Sequence, residues 1–252
     1  MFLERRGNLF IGRFVGLWGN PFVFHGFSTR KGGVSSSPYD TLNLGFNTAD
    51  DPQHTETNRN RFFSALGISS ENLAIPQQIH GTNVEIAKTS GIYPETDAIV
   101  TNVPELGLVI QVADCVPIFL YDPNRRVIGL VHSGWKGSRE KLGLKVIKIL
   151  SQAFQSNPSE ILAWIGPSIG PCCYSVNQEV ASYFSGYVQN GKLDLWAWNR
   201  DILIEAGLNP RHVRVSRLCT ACHSEWFFSH RKSGGNTGRM MAVIGLKKKE
   251  SI

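Results

Sequence analysis

The stretch from Leu108 to His132 reads Leu108-Val109-Ile110-Gln111-Val112, Ala113-Asp114-Cys115, Val116-Pro117-Ile118-Phe119-Leu120-Tyr121, Asp122-Pro123-Asn124-Arg125-Arg126 and Val127-Ile128-Gly129-Leu130-Val131-His132. Three short apolar runs separated by polar residues predict three strands. Asp122-Pro123-Asn124-Arg125 is a strong turn signal, so the second and third runs are expected to form a β-hairpin. A symmetric loop at that turn sets Tyr121 opposite Arg126, Phe119 opposite Ile128 and Cys115 opposite His132. Directly opposed residues share a face, with Cβ atoms about 4.5–5.5 Å apart. A thiolate and an imidazole at that spacing reach one metal ion, or each other. A three-residue loop or a bulge would shift the register by one and part them. Pro117 has no amide donor, which predicts an edge strand or a bulge at that point.

Working outward, Ser133-Gly134-Trp135-Lys136-Gly137-Ser138 leads into a helical pattern in which Leu142, Val146, Ile149, Leu150 and Phe154 recur about once per turn. On the N-terminal side, Asp50-Asp51-Pro52 predicts a helix start, with an Asp cap and Pro in the first turn. That helix runs through Phe62, Phe63 and Leu66 and stops at Gly67. Further strands are expected at Leu162 to Ile165, Val213 to Ser216 and Met240 to Leu246. Helices are expected after Asn177 and over about Leu193 to Ala206, the latter ended by Gly207. The Gly pair and Ser run of Thr29–Pro38 read as a mobile surface loop. Strands and helices do not alternate in a βαβ beat, so a mixed sheet fits better than a doubly wound one.

The chain has 252 residues, enough for one large domain over 1–252 with its own core. Its 42% apolar and 18% charged content excludes disordered, collagenous and coiled-coil classes. A net charge of +6 favours anionic small molecules over nucleic acid. The Lys247-Lys248-Lys249 run reads as a solvated tail. No apolar stretch has the length of a membrane span, and Arg13 interrupts the only N-terminal run of signal-peptide character. Five cysteines, at 115, 172, 173, 219 and 222, cannot all pair within one chain, which predicts a reducing, cytoplasmic compartment.

A Cys and a His together allow two chemistries. They ligate zinc, with a third protein ligand leaving one position open, or the His deprotonates the Cys for nucleophilic catalysis. The bland reading makes Cys115 a small core residue and His132 a satisfied core histidine. Trp135 to Ser138 opens a helix three residues past His132, where free amides and Lys136 suit an anion; the bland alternative is that Ser138 merely caps the helix. Cys219-Thr220-Ala221-Cys222-His223 superficially resembles half of a zinc ribbon, but no second pair of similar spacing accompanies it. Cys222 and the vicinal Cys172-Cys173 are therefore expected to be buried thiols.

Ala113-Asp114-Cys115, His132-Ser133-Gly134-Trp135 and Gln77-Gln78-Ile79-His80-Gly81 together resemble one family, long described as the multicopper polyphenol oxidase (laccase) domain family. Its members are also described as purine nucleoside phosphorylases with adenosine deaminase and methylthioadenosine phosphorylase activity. The likeness extends through Ser28–Ser35, Leu42-Asn43-Leu44-Gly45, Asn58-Arg59, Thr96-Asp97-Ala98, Ile165–Gly170, Cys219-Thr220, Phe227–Arg231 and Gly238-Arg239. The resemblance implies an α+β fold, with mixed β-sheets packed in a layered α/β/β/α-type sandwich. It puts zinc ligands at His80, Cys115 and His132, and a segment near the active site at Cys219. His230 stands where many relatives carry an aromatic residue, an expected change at the pocket edge.

The implied function is a zinc enzyme acting on purine nucleosides and phosphate. Its expected reactions are phosphorolysis of adenosine, inosine, guanosine and S-methyl-5'-thioadenosine, and deamination of adenosine. Arg59, Lys136, Arg231 and Arg239 are the candidate phosphate cations, and Asn43, Gln78 and Ser133 the candidate orienting groups. Asp114, on a regular strand, would face away from Cys115 and play a structural part. The competing readings are a metal-free Cys115–His132 thiol hydrolase, a non-enzymatic partner protein and a polyphenol oxidase. The last is weak, because blue copper wants an axial Met and the chain has only Met1, Met240 and Met241. Its seven histidines also contain no His-x-His pair.

Overall fold

In the structure, a computed structural model in which residues 1–248 are described, every apolar run named above becomes a strand. In chain order the strands are β1 (Phe2–Arg6), β2 (Leu9–Arg13), β3 (Val23–Ser28), β4 (Leu73–Pro76), β5 (Val84–Ile86), β6 (Gly91–Tyr93), β7 (Ala98–Thr101) and β8 (Gly107–Val112). They continue with β9 (Val116–Asp122), β10 (Val127–Ser133), β11 (Leu162–Ile165), β12 (Val188–Gln189), β13 (Lys192–Leu193), β14 (Val213–Val215) and β15 (Met240–Leu246). The helices are α1 (Pro52–Leu66), α2 (Trp135–Arg139), α3 (Leu142–Phe154), α4 (Gln178–Ser182) and α5 (Leu195–Glu205).

One sheet has the order β1-β2-β3-β15-β8-β4-β6 and the other β14-β11-β9-β10-β7-β5, while β12 and β13 form a small ribbon. Both large sheets mix parallel and antiparallel pairs. The period of two along each strand sorts side chains between layers. Phe119 and Tyr121 of β9, Ile128 and Leu130 of β10, and Met240, Ala242 and Ile244 of β15 fill the space between the sheets. Val116, Ile118 and Leu120, with Val127 and Val131, face the other way onto Val146, Ile147 and Leu150 of α3 and Leu203 of α5. Met241 and Val243 meet Phe62 and Phe63 of α1 on the far side. The result is the expected α+β fold, layered α/β/β/α. No helix among the described residues is long and apolar enough to cross a membrane.

Local signals held where the chain supplies its own caps. Asp51 accepts the Gln53 amide at the start of α1, and Gly67 ends it at φ 73°. The surface loop differs from expectation. Asn58 of α1 is buried; it accepts from Val34 N–H at 2.9 Å and donates to Ser35 Oγ, Thr41 O and Asn43 O, pinning the segment to the helix. The hairpin also differs. Its loop is Pro123–Arg126, so His132 pairs with Pro117, two positions along β9 from the expected partner. A shift of two keeps every side chain on its face, so Cys115 and His132 still look into the inter-sheet layer. Nor is β9 an edge strand. Beyond the last pair of β9 with β11, Ile165 with Ile118, the Pro117 carbonyl accepts from Gly166 N–H at 2.9 Å. The missing amide falls at the end of that ladder, where it costs little. Lys247 is anchored through its amide to Phe22 O at 2.8 Å, and Lys249 lies outside the described residues.

His25 on β3 is buried, its Nε2 accepts Phe14 N–H at 2.8 Å, and Arg13 donates to its carbonyl. Burial, helped by the charge of Arg13, pushes its pKa down to about 3. The unfolded chain takes up this proton at about pH 6.5, whereas the folded chain refuses it until about pH 3. The stabilising contribution is therefore complete above about pH 6.5 and lost as pH falls, by about 1.4 kcal/mol per unit. His25→Gln keeps an acceptor for Phe14 and cannot titrate. Its Tm is expected to fall less steeply than that of the wild type between about pH 6.5 and pH 4, and equal slopes would refute this account.

Candidate active site

The site is built around a buried carboxylate. Asp97 precedes β7 and is fully buried. Its Oδ1 accepts from His80 N–H at 3.0 Å and from His132 Nδ1 at 2.8 Å. Its Oδ2 accepts from Ile79 N–H at 3.2 Å and Gly81 N–H at 2.6 Å. Burial alone would raise its pKa, but the hydrogen bond and charge of His132 and the loop amides outweigh that and hold it below the usual carboxylate value. Three consecutive amides on one carboxylate force the Gln77–Gly81 loop into a tight arc, and His80 sits in it at φ 58°. That left-handed conformation is uncommon for a non-glycine residue, and here the loop amides hold it.

The anchored loop turns His80 toward His132, ring centroids 4.9 Å apart and planes at 75°. Cys115 arrives from a third direction, on the Ala113–Cys115 strap that carries the chain from β8 in one sheet to β9 in the other. One ligand atom from each of His80, Cys115 and His132 lies within 4.8 Å of the others. A Cβ at Gly134 would stand 3.1 Å from Cys115 Sγ and 3.4 Å from His80 Cδ2, so the glycine leaves the three side chains room to converge. Burial would raise the Cys115 thiol, but the charge of His132 and hydrogen bonds from both histidines bring it down to about 6. His132, which burial would lower, is lifted to about 9 by Cys115 and Asp97. Asp97 fixes Nδ1 of His132 as a donor and leaves Nε2 for the cluster, the usual support of a metal-binding histidine. Two imidazoles and a thiolate meeting at a point fit zinc and leave a fourth position.

These donors open onto a cavity of about 800 Å³. Gln78, Lys136, Arg231 and Arg239 line it, as do Phe46, Trp135, Tyr174 and His230. Gln78 spends its amide group on the Gln111 backbone, donating at 2.8 Å and accepting at 2.7 Å. Three other candidates do not line the cavity. Ser133, one residue past His132, points to the opposite face; it is buried and bonded to Ser138 and Asn199. Asn43 is fully buried, its carbonyl holding the amides of Gly45 and Arg239 and its NH₂ bonded to Thr48 and Asp50. Arg59 stacks over Phe46 at 4.5 Å and donates to Gly45 O. The last two act on Arg239 and Phe46 rather than on the cavity itself.

Other placements also depart from the sequence reading. Ser138 is not the cap of α2; Gly134 holds that position, and Ser138 lies inside the buried Ser133–Asn199 network. Asp114 leaves the regular strand at φ 86° and accepts from Thr220 Oγ1 at 2.6 Å and Arg231 N–H at 2.7 Å, tying the Thr220 turn and the cavity-lining Arg231 segment to the strap. Cys219 is absent from the cavity lining and packs with three other cysteines. The sequence signal for Asp97 is an acidic residue directly ahead of the apolar run Ala98-Ile99-Val100, a place where burial demands a partner.

Residues 24–247 match the family model described as multi-copper polyphenol oxidoreductase laccase. The chain is 38% identical over 240 residues to a purine nucleoside phosphorylase of Deinococcus radiodurans, covering 92% of each chain. It is 34% identical over 250 residues to the purine nucleoside phosphorylase YlmD of Bacillus subtilis, covering 90% of each. Among solved structures it resembles the Bacillus licheniformis hypothetical protein YfiH, with a TM-score of 0.88 at 32% identity over 97% of this chain and 99% of that one.

Asp97→Asn turns an NH₂ group toward donors whichever way the amide is set, so His132 or the loop amides lose their acceptor. Zinc affinity, measured by competition with a chromophoric chelator, is expected to weaken about 10–100-fold. An unchanged affinity would mean that something other than Asp97 orients His132.

Proposed function

The chain belongs to the multi-copper polyphenol oxidoreductase laccase family, and from that premise we propose that it is a zinc-dependent purine nucleoside phosphorylase that also deaminates adenosine. The observation that carries the reading is the convergence of His80, Cys115 and His132 at the wall of a cavity bordered by Lys136, Arg231 and Arg239. The relatives' names support the phosphorylase half. Adenosine deamination, the use of inosine, guanosine and S-methyl-5'-thioadenosine, and zinc itself rest on the family resemblance and the donor set.

The cavity has the volume of a small-molecule site. Phe46, Trp135 and Tyr174 offer aromatic faces for a purine. Lys136, Arg231 and Arg239 offer charge for phosphate, whose oxygen attacks the ribose anomeric carbon as the bond to the base breaks. Arg231 is held for this by its own amide on Asp114 and by donation to Ser175 O, with its guanidinium over Tyr174 at 5.0 Å. Arg239 is held by Asn43. In deamination, water replaces the purine amino group at C6 and ammonia leaves. A divalent ion bound by the three donors supplies Lewis acidity at the cavity wall. His80, Cys115 and His132 hold that position, and Asp97 fixes the ring of His132. A copper oxidase reading gains nothing from the fold, since no methionine lines the cavity among the described residues and Met240 and Met241 are buried in the core. Five cysteines left as thiols accord with a cytoplasmic setting.

A metal-free thiol hydrolase is the second reading, favoured by the contact of Cys115 with His132. The test incubates purified protein with adenosine, with and without phosphate. Adenine and ribose 1-phosphate are expected only with phosphate, and inosine in both. Cys115→Ala should abolish all three products, and Lys136→Ala should raise the phosphate KM about tenfold. Activity that survives chelation but not alkylation of Cys115 would favour the thiol hydrolase. No product from any purine nucleoside would overturn the proposal.

A further inference from the structure

The cysteines left over from the active site are not scattered. Cys172 and Cys173 lie on a turn after β11, and Cys219 and Cys222 on a turn after β14. One sulfur from each lies within 4.8 Å of the other three. Cys222 Sγ is 3.4 Å from both Cys172 Sγ and Cys173 Sγ. Neighbouring residues on a strand point to opposite faces, but here Cys173 N–H and Tyr174 N–H both donate to Gly170 O, and the turn brings the vicinal pair to one side. The expectation of buried thiols is thus wrong for all three residues it named, Cys172, Cys173 and Cys222. Cys172 and Cys222 are exposed and Cys173 is half-buried, with only Cys219 in the interior. The second pair that the Cys219-x-x-Cys222 spacing lacked in sequence is the vicinal pair, brought in on the turn that follows β11, the parallel neighbour of β14.

We propose that Cys172, Cys173, Cys219 and Cys222 form a tetrahedral four-sulfur site for one structural zinc ion, separate from the His80–Cys115–His132 site. Zinc–sulfur bonds of about 2.3 Å put the sulfurs of a tetrahedron about 3.8 Å apart, in keeping with the spacing here. Sulfurs that close surround a single ion, whereas an iron–sulfur cage holds its cysteines farther apart. The C-x-x-C half has the turn such sites use: Cys219 Sγ accepts from the amides of Gly170, at 3.2 Å, and Cys222. Binding takes a lone pair from each sulfur and releases the thiol protons, with no change of oxidation state.

The site would staple the 169–174 turn, which borders the active-site cavity, to the turn that carries Cys219 and Cys222. Ile169 and Tyr174, beside Cys172 and Cys173, line it. Thr220, between Cys219 and Cys222, holds Asp114 and through it the amide of Arg231. Among the described residues, one backbone bridge, Ser168 with Cys219, otherwise joins the turns as a ladder. The ion would thus fix the distance between the Tyr174 wall and the Arg231 wall.

Metal analysis of protein purified under reducing conditions tests this. The double variant Cys172→Ser/Cys222→Ser changes two exposed residues and is expected to carry about one zinc ion per chain fewer than the wild type. Cys115→Ser should keep the cluster zinc, so failure of the active-site reading and failure of this one give different results. Cobalt(II) in the Cys115→Ser protein should show the strong thiolate charge-transfer and tetrahedral d–d bands of a four-sulfur site. Equal zinc content in the wild type and the double variant would overturn the proposal. So would a wild-type mass short of four hydrogens, which would report two disulfides in place of the ion.

Discussion

A single carboxylate organises the catalytic half of this molecule. Asp97 is sealed from solvent at the mouth of β7, where an unpaired charge would be very costly. Its four acceptor contacts are three amides of one loop and a ring nitrogen from the adjacent strand. One group thus sets the path of the Gln77–Gly81 loop, the tautomer of His132 and the direction of His80. Around it the other placements follow: Gly134 keeps clear of the donors, and Asp114 lashes the Thr220 and Arg231 segments to the strap that bears Cys115.

How much of this was legible in the amino-acid order depended on how local the cause is. The α1 boundaries follow from Asp51, Pro52 and Gly67, all within a turn of the ends they set. The apolar runs of β8, β9 and β10 are strands because alternate side chains of each enter different layers, a demand each run meets alone. The hairpin register came out displaced by two because the loop takes in Arg126 as well as Pro123–Arg125, a choice that turn residues alone leave open. The pairing of Cys115 with His132 survived only because side-chain direction repeats every second residue.

Longer-range facts were beyond such reading. His80 reached the ligand set through family resemblance, since nothing in its neighbourhood says that Asp97 will bend its loop. The loop from Thr29 to Pro38 looked free because its anchor, Asn58, lies on the helix that follows. The clustering of the four cysteines is invisible in the sequence because the whole of α4, α5 and β14 lies between the two pairs. Ser133 stands beside His132 in sequence, yet adjacency on a strand sends it to the opposite layer.

The strap on which Cys115 rides has one more implication. It is the passage between two sheets, while His80 hangs from a loop entered from β4 of one sheet and left through β5 of the other, and His132 ends a strand of the second. Two of the three donors thus ride on chain that passes between the sheets, so their distance from His132 depends on how one layer is set on the other. Slippage of the layers would be felt at this centre even with each sheet intact.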